Sequence, residues 1–527
     1  MSSLSGPPKF ADSYLIEVLD EFGLAIKYVR AAGNQLYYLD KTGAEVGVLD
    51  CASGFGSLMF GHNNPELVAH AKSVLDAQTP VHAQFAGYSY GIDVAAALNK
   101  IIRRELNTED KYFALYANTG AEAVEVSIKH AELDRGIRIA ELTAEVGLHV
   151  DQGRSAVATG ATVSADAYAL LGLAASADPA EGFERIAAEI GRRNAETSAR
   201  QPLFLALEGG FHGKLASSVQ LTYNEEFRLP FRALAAQARF VPLDRPDLIG
   251  KIVDDERAVL FDVAVEDGVV DLIERDFPVF TAFYVEPILG EAGIRPISTE
   301  LAQAIREACD TAGCPLVADE IQCGMGRSGT FLASTQIGLR ADYIVLAKSL
   351  GGGIAKTGTV LVHESRYRKD FELIHTSTFG KDGFSTLVAL KVLEMLEAED
   401  GLAYRLARER GAKAEAMLNA VRADFPDVVK EVRGLGLMLG IEFHDQGSSS
   451  SAEIRDWVEH EALAYVIGGH LLHRHRIRIF STASSLNTMR FEPSIYLTDE
   501  EIAQFDAALR DVCGILRDQD ASRFVTA

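Results

Sequence analysis

The stretch LVADEIQCGMGRSGTFLASTQIGLRADYIVLAKSLGGGIAKTG, residues 316–358, decides the fold. Together with the proline just before it, it contains two short apolar runs, residues 315–318 and 343–347. Each is too short for a helix and is bounded by glycine or polar residues, the pattern of a strand buried in a parallel sheet. The first ends in Asp319 and the second in Lys348. In an open parallel sheet, chemistry collects just beyond the carboxyl ends of the strands. The stretch therefore delivers a carboxylate and an amine to one sheet edge. Singly, an Asp at a strand end also serves as a turn or cap residue, and a Lys is most often a solvated surface charge. Lys348 is unusual for that role, because it follows five mostly apolar residues and precedes SLGGG. Gly351, Gly352 and Gly353 let the backbone approach a ligand closely.

A lysine and an acid on one edge suit pyridoxal phosphate (PLP), which needs an amine for its Schiff base and an acid to keep its pyridine nitrogen protonated. The string DEIQCGMGR, then AKSLGGG, resembles the signature of the class III (ornithine, acetylornithine and omega-amino) aminotransferases of PLP fold type I. The resemblance implies an α/β architecture like that of aspartate aminotransferase. A large domain would carry a mostly parallel seven-stranded sheet, beside a small α+β domain built from both termini. It also implies that Asp319 pairs with the pyridine nitrogen, Gln322 hydrogen-bonds the ring hydroxyl and Lys348 carries the Schiff base.

A chain of 527 residues exceeds the size at which one core usually stops growing, so two domains are expected. Hydrophobic content of 48% with 24% charged residues is ordinary for a soluble enzyme. The net charge of −24 argues against nucleic acid or an anionic membrane as partner. No apolar run is long enough to span a bilayer, and the opening MSSLSGPPKF lacks the features of a signal peptide. Five cysteines (Cys51, Cys309, Cys314, Cys323 and Cys513) have no metal-binding spacing and fit a reducing cytoplasm.

In chain order, residues 36–39 and 46–49 around Lys41, Thr42 and Gly43 read as a hairpin, and Asn64-Pro65 opens a helix. The stretch LDCASGFGSLMFGHNNPE resembles the family's small-domain segment at the substrate entrance. A strand at residues 112–116 then runs into Asn118, Thr119, Gly120 and Ala121, with a helix beginning near Glu122. Such a turn presents N–H groups to an anion at a helix N-terminus, and it is also an ordinary cap. The resemblance favours the first reading, with Gly120 and Ala121 holding the PLP phosphate and Thr119 beside them. Residues 135–200 depart from the family as an insertion rich in Ala, Gly and Ser, with a helix over 183–193. An ordered subdomain or lid is expected there, either as a surface decoration or as a part of substrate selection.

By the same resemblance, Phe211 stacks on the cofactor ring with His212 beside it. Lys214 stands where relatives carry a carboxylate-clamping arginine, and the two are not equivalent for that task. Glu286 ends the strand of FTAFYVEPILGEAGIRP, and Glu291 follows in its glycine turn. Glu291 and Arg433, the latter in VRGLGLMLGIEF, make either a carboxylate switch for an acidic donor or a static ion pair. Ser377 and Thr378 lie in HTSTFGKDG, where Lys381, Asp382 and Gly383 replace the usual Gly-Asn-Pro. There the resemblance implies a homodimer, with Thr378 reaching the neighbouring subunit's phosphate and Ser377 near the substrate. His470, His473 and His475 read as a basic loop, solvated or beside the substrate, in preference to a metal site.

The implied organisation is residues 1–80 and 400–527 for the small domain and 81–399 for the large one. The implied activity is a ping-pong transamination from an amino acid donor, L-glutamate or L-glutamine, to an aldehyde or ketone. Lys214, the insertion and the altered Thr378 loop point away from a housekeeping acetylornithine enzyme. Length and insertion are similar to those of aminotransferases of antibiotic biosynthesis that act on aromatic, bipyridine-type aldehydes. Acetylornithine, ornithine or omega-amino acid transamination, a mutase or decarboxylase of the same fold, and a silent PLP-binding protein stay open. A dinucleotide-binding oxidoreductase does not, because no G-x-G-x-x-G opens a helix after an early strand.

Overall fold

The structure is a computed structural model that describes residues 11–83 and 89–525. The opening segment MSSLSGPPKF, read above for a leader, lies outside the described residues.

The two apolar runs form adjacent parallel strands, Leu316–Asp319 and Tyr343–Leu346, with Val317 opposite Tyr343 and Asp319 opposite Val345. All eight residues are buried, which is why neither run shows the alternation of a half-exposed strand. They sit at the centre of a seven-stranded sheet. Its order is Tyr112–Ala117, Gly358–His363, Tyr343–Leu346, Leu316–Asp319, Phe280–Val285, Leu203–Leu207 and Ala238–Val241. Only Gly358–His363 runs against the rest, antiparallel to both its neighbours. The expected mostly parallel sheet is thus present, and every strand but that one points its carboxyl end to the same edge.

Sequence from both ends of the chain comes together beside it. The predicted hairpin forms from Gln35–Leu39 and Glu45–Asp50, and Ile477–Arg478 joins its edge in parallel. A second small sheet holds Val429–Leu435, Met438–Phe443 and Thr488–Phe491. The C-terminal helix Asp499–Asp518 starts in a capping box made by Thr498 and Glu501.

The insertion is ordered. The helix that starts at Gly120 runs on into the insertion as far as Ala158, 39 residues in all. Its first half packs on the central sheet through Ala123, Val124 and Ala131. Its second half packs with the helix Pro179–Ser198, which contains the predicted 183–193, and with a hairpin, Val259–Glu266 and Val269–Asp276. That hairpin, far outside residues 135–200, supplies Val263, Val270 and Leu272 to a separate core with Val146, Phe183 and Ile186. At Gly153 an added Cβ would lie 2.8 Å from both Phe183 and Val263, so the crossing requires a residue without a side chain.

Candidate active site

The site lies at the carboxyl edge of the central sheet. Asp319 closes its strand and is buried. One oxygen, Oδ1, accepts from the Ile321 N–H at 3.2 Å, and the other, Oδ2, is 2.8 Å from His212 Nδ1. Burial works against a charged His212 ring, but the bond to Asp319 more than offsets it and holds the ring's pKa above the usual histidine range. The pair is therefore a carboxylate stiffened by an imidazole, suited to facing a cationic ring nitrogen.

Lys348 follows the neighbouring strand with φ of +45°, a left-handed conformation that a lysine rarely adopts. It is half-buried. Burial pushes its ammonium below the usual lysine range, with Arg490 adding to the push, while Glu492, Glu291 and Glu286 pull the other way. That direction favours the neutral, nucleophilic form of the amine.

Between these two strand ends sits the start of the long helix. A Cβ on Gly120 would lie 3.0 Å from Ile321 and 3.5 Å from Ala347, the residue before Lys348. The opening amides of a helix lack partners within it. Here Thr119 Oγ1 accepts from the Glu122 N–H at 3.2 Å, and the Gly120 and Ala121 amides remain to face an anion. The loop carrying Phe211 and His212 presses on the same turn, since a Cβ on Gly213 would come within 2.8 Å of Ala121. Asn118 Nδ2 donates to Ser377 Oγ at 3.0 Å, so the Ser377 loop lies against this chain's own turn.

Glu286 is buried behind Phe211 and accepts from the backbone N–H groups of Phe211 at 2.8 Å and Gly290 at 3.1 Å. Burial pushes its carboxyl up to about 7. Phe211 is half-buried. Gln322 Nε2 donates to Glu492 Oε1 at 2.6 Å, with its side chain packed against Gly290 and Gly56.

Two expectations are corrected, for Arg433 and for the histidines. Glu291 does not pair with Arg433 but with Arg490, whose Nη2 donates to Glu291 Oε2 at 2.6 Å. Arg433 is engaged throughout: by the Gly293 carbonyl, by Glu431 and Glu442, and by Thr488 Oγ1. Arg490 is buried, and its Nε and Nη1 have no hydrogen-bond partner among the described residues, so it is the guanidinium with capacity left for a ligand. Lys214, which stands in the place of the clamping arginine, is exposed, with its ammonium 3.4 Å over the Phe227 ring. The three histidines lie on the helix Leu463–His475, not on a loop, and His470 is buried. His470 and His475 converge on Asp511 Oδ2, at 3.1 and 2.8 Å. The Val525 N–H occupies His470 Nδ1, which leaves Nε2 carrying the hydrogen that it gives to Asp511 and disfavours a metal there.

Arg490 and Glu492 were missed from sequence. They stand at alternate positions of TMRFE, Arg490 in the strand Thr488–Phe491 and Glu492 just past its end, so extended chain turns both to one side. Two charges on one face of an otherwise apolar run are rare unless they are paired, and that was the available signal.

For PLP the residues fit. Asp319 with His212 suits the ring nitrogen, Gln322 the ring hydroxyl, the Gly120–Ala121 amides the phosphate and Lys348 the carbonyl, and all converge on one edge. The comparisons agree. The model of the family Aminotransferase class-III matches residues 20–513. The fold is shared with an ornithine aminotransferase from Toxoplasma gondii (20% identity, 94% of this chain and 92% of that one, TM-score 0.64). It is also shared with an N-acetylornithine aminotransferase from Stenotrophomonas maltophilia (22% identity, 96% and 100%, TM-score 0.60). An amine transaminase from an uncultivated Pseudomonas species, solved with PLP bound, matches with 20% identity over 97% and 98% at a TM-score of 0.64. No helix among the described residues is long and apolar enough to cross a membrane.

Proposed function

The chain belongs to the class III aminotransferases, which depend on PLP, and from that premise we propose that it moves an amino group from L-glutamate or L-glutamine to an aldehyde or ketone. The observation that carries the donor is the buried Arg490–Glu291 pair, whose charges act on Lys348. Without a donor, Glu291 keeps Arg490 neutralised. An incoming carboxylate displaces Glu291 from Nη2 and takes that nitrogen together with a free neighbour, Nε or Nη1, bidentately. A carbonyl acceptor without a carboxylate leaves the ion pair closed, so one site serves both substrates.

When bound, PLP supplies a carbonyl that takes up the donor's amino group and a ring that stores the electron pair released at the substrate carbon. The chain's own groups do the rest. Lys348 attaches the cofactor, leaves when the donor amine arrives and then moves a proton to and from the substrate carbon. Asp319, steadied by His212, keeps the ring nitrogen protonated. Phe211 covers the ring, Gln322 holds its hydroxyl, and the amides of Gly120 and Ala121, ordered by Thr119, hold the phosphate. Glu286 fixes the Phe211 loop through its backbone.

We place the enzyme in a homodimer in which Thr378 reaches the partner's phosphate site. Leu373, Ile374 and Phe379, 86%, 66% and 57% exposed on the same segment, support a face made for a second copy. Five free, buried cysteines accord with a reducing cytoplasm.

The test is the visible spectrum of the PLP-loaded protein before and after L-glutamate, with no acceptor present. Loss of the original band, with 2-oxoglutarate formed in proportion to enzyme, supports the proposal. An acceptor panel including aromatic and bipyridine aldehydes then restores the band for the true acceptor class. In Arg490→Ala, L-glutamate should lose about 100-fold in kcat/KM (about 2.7 kcal/mol) and a neutral amine far less. Equal losses would remove Arg490 from the carboxylate site. No band even with PLP supplied would overturn the assignment.

A further inference from the structure

Glu492 has no place in the reading so far, yet it is among the most buried charged groups of the site. It follows the strand Thr488–Phe491 and is anchored by its N–H to the Cys51 carbonyl at 2.8 Å. One carboxylate oxygen, Oε1, takes the Gln322 amide at 2.6 Å. The other, Oε2, is buried with no hydrogen-bond partner among the described residues. A buried acceptor left in that state is costly unless a ligand or a nearby cation uses it.

Three cations act on this carboxylate: Arg327, Arg490 and Lys348. Arg327 is fully buried, and its hydrogen bonds go to the carbonyls of Leu437, Pro493 and Gly56. The Gly56 carbonyl also accepts from Ser349 Oγ at 3.0 Å, one residue past Lys348. Arg327 therefore braces the backbone around the lysine. Glu492 balances its charge from a distance and gives its close contact to Gln322. A purely structural counter-ion would bond its arginine directly. Of the acids around Lys348, Glu492 exerts the largest pull, ahead of Glu291 and Glu286, with Arg490 opposing them.

We propose that Glu492 is a positioning residue that acts in two ways on the PLP site. Its carboxylate fixes the Gln322 amide so that one N–H is held and the other is presented to the cofactor. Its buried, unpaired Oε2 favours the protonated nitrogen at Lys348. This inference rests on the PLP-dependent reading above. Gln322 Nε2 carries two hydrogens, and Glu492 takes one. The Gln322 carbonyl is turned onto the Gly290 backbone, leaving no room there for a substituent. Without Glu492 the amide is free to turn, and the cofactor's hydroxyl meets a donor or an acceptor at random.

Two variants test the two halves with readouts other than turnover. In Glu492→Gln the charge goes and the shape stays. The pH midpoint at which the lysine-bound cofactor's visible band titrates should fall by about one unit. In Glu492→Asp the charge stays and the reach to Gln322 shortens by one methylene. Its midpoint should match wild type, while PLP affinity, followed by fluorescence, should weaken roughly tenfold in Kd. A midpoint in Glu492→Gln equal to that of wild type overturns the electrostatic half. An unchanged Kd in Glu492→Asp overturns the positioning half, and that variant decides alone should the glutamine variant not fold. Absence of any visible band in wild type would instead strike the PLP reading itself.

Discussion

Glu286 is a carboxyl held between two backbone amides with no cation bonded to it, and burial raises it from 4.5 to about 7. Below about pH 4.5 it is protonated whether the chain is folded or not and contributes no pH dependence. As pH rises, the unfolded chain ionises first, so stability falls until the folded group also ionises near 7. The span corresponds to roughly 3 kcal/mol. His212, also held above its ordinary value by Asp319 and in part by Glu286, adds to the same trend, and Glu286→Gln lessens its share as well. With the cofactor removed, wild type should therefore lose melting temperature relative to Glu286→Gln between about pH 5 and about pH 8. Parallel curves would show that Glu286 ionises as freely in the folded protein as outside it. At this scale the sequence was legible where one element delivers one group. Asp319 and Lys348 each end an apolar run, and the run announces them. Arg490 was not legible, because its partner Glu291 lies 199 residues away and no local pattern joins them. Arg433 was named in its place by resemblance alone, through VRGLGLMLGIEF.

Among the elements, the helix from Gly120 shows why a start is easier to read than an end. Its beginning is written in Asn118, Thr119 and Gly120: Thr119 caps Glu122, and Glu122 returns a bond to the Asn118 N–H at 2.8 Å. Thr119→Ala should cost about 1 kcal/mol in thermal or urea unfolding. It should also weaken PLP binding, since the two free amides lose the cap that orders them. Loss of stability with unchanged PLP affinity would make the turn a cap and nothing more. The far end carries no such mark, and the cause is physical. The buried face includes Ala123, Val124 and Ala131 against the sheet, then Val146, Gly153 and Val157 against the inserted subdomain. An apolar stripe that changes partners midway gives no single helical period to follow.

For the whole molecule, the inserted unit is a second packing centre assembled from two distant segments. The first, around residues 135–200, stood out by composition. The hairpin Val259–Glu266 and Val269–Asp276 did not, because its role is to complete a core whose other half lies elsewhere in the chain. The two segments are also joined by hydrogen bonds at one buried carboxylate. Asp262, fully buried on the hairpin, is 2.9 Å from His149 Nδ1 of the long helix and accepts from Arg275 Nη1 at 3.0 Å. Asp262→Ala removes the acceptor for both, and because His149 and Arg275 are half-exposed, water takes up part of the loss. The expected cost is about 2 kcal/mol. Because the subdomain has its own core, that cost should stay within it. Amide exchange should speed up across the hairpin and the second half of the long helix, while the strands Leu316–Asp319 and Tyr343–Leu346 stay protected. The half-reaction with L-glutamate should proceed at the wild-type rate. If exchange rises equally in the central sheet, or if the half-reaction slows in step, the subdomain is coupled to the site and takes part in substrate selection. Local exchange with an intact half-reaction makes it an independent unit carried on the outside of the enzyme.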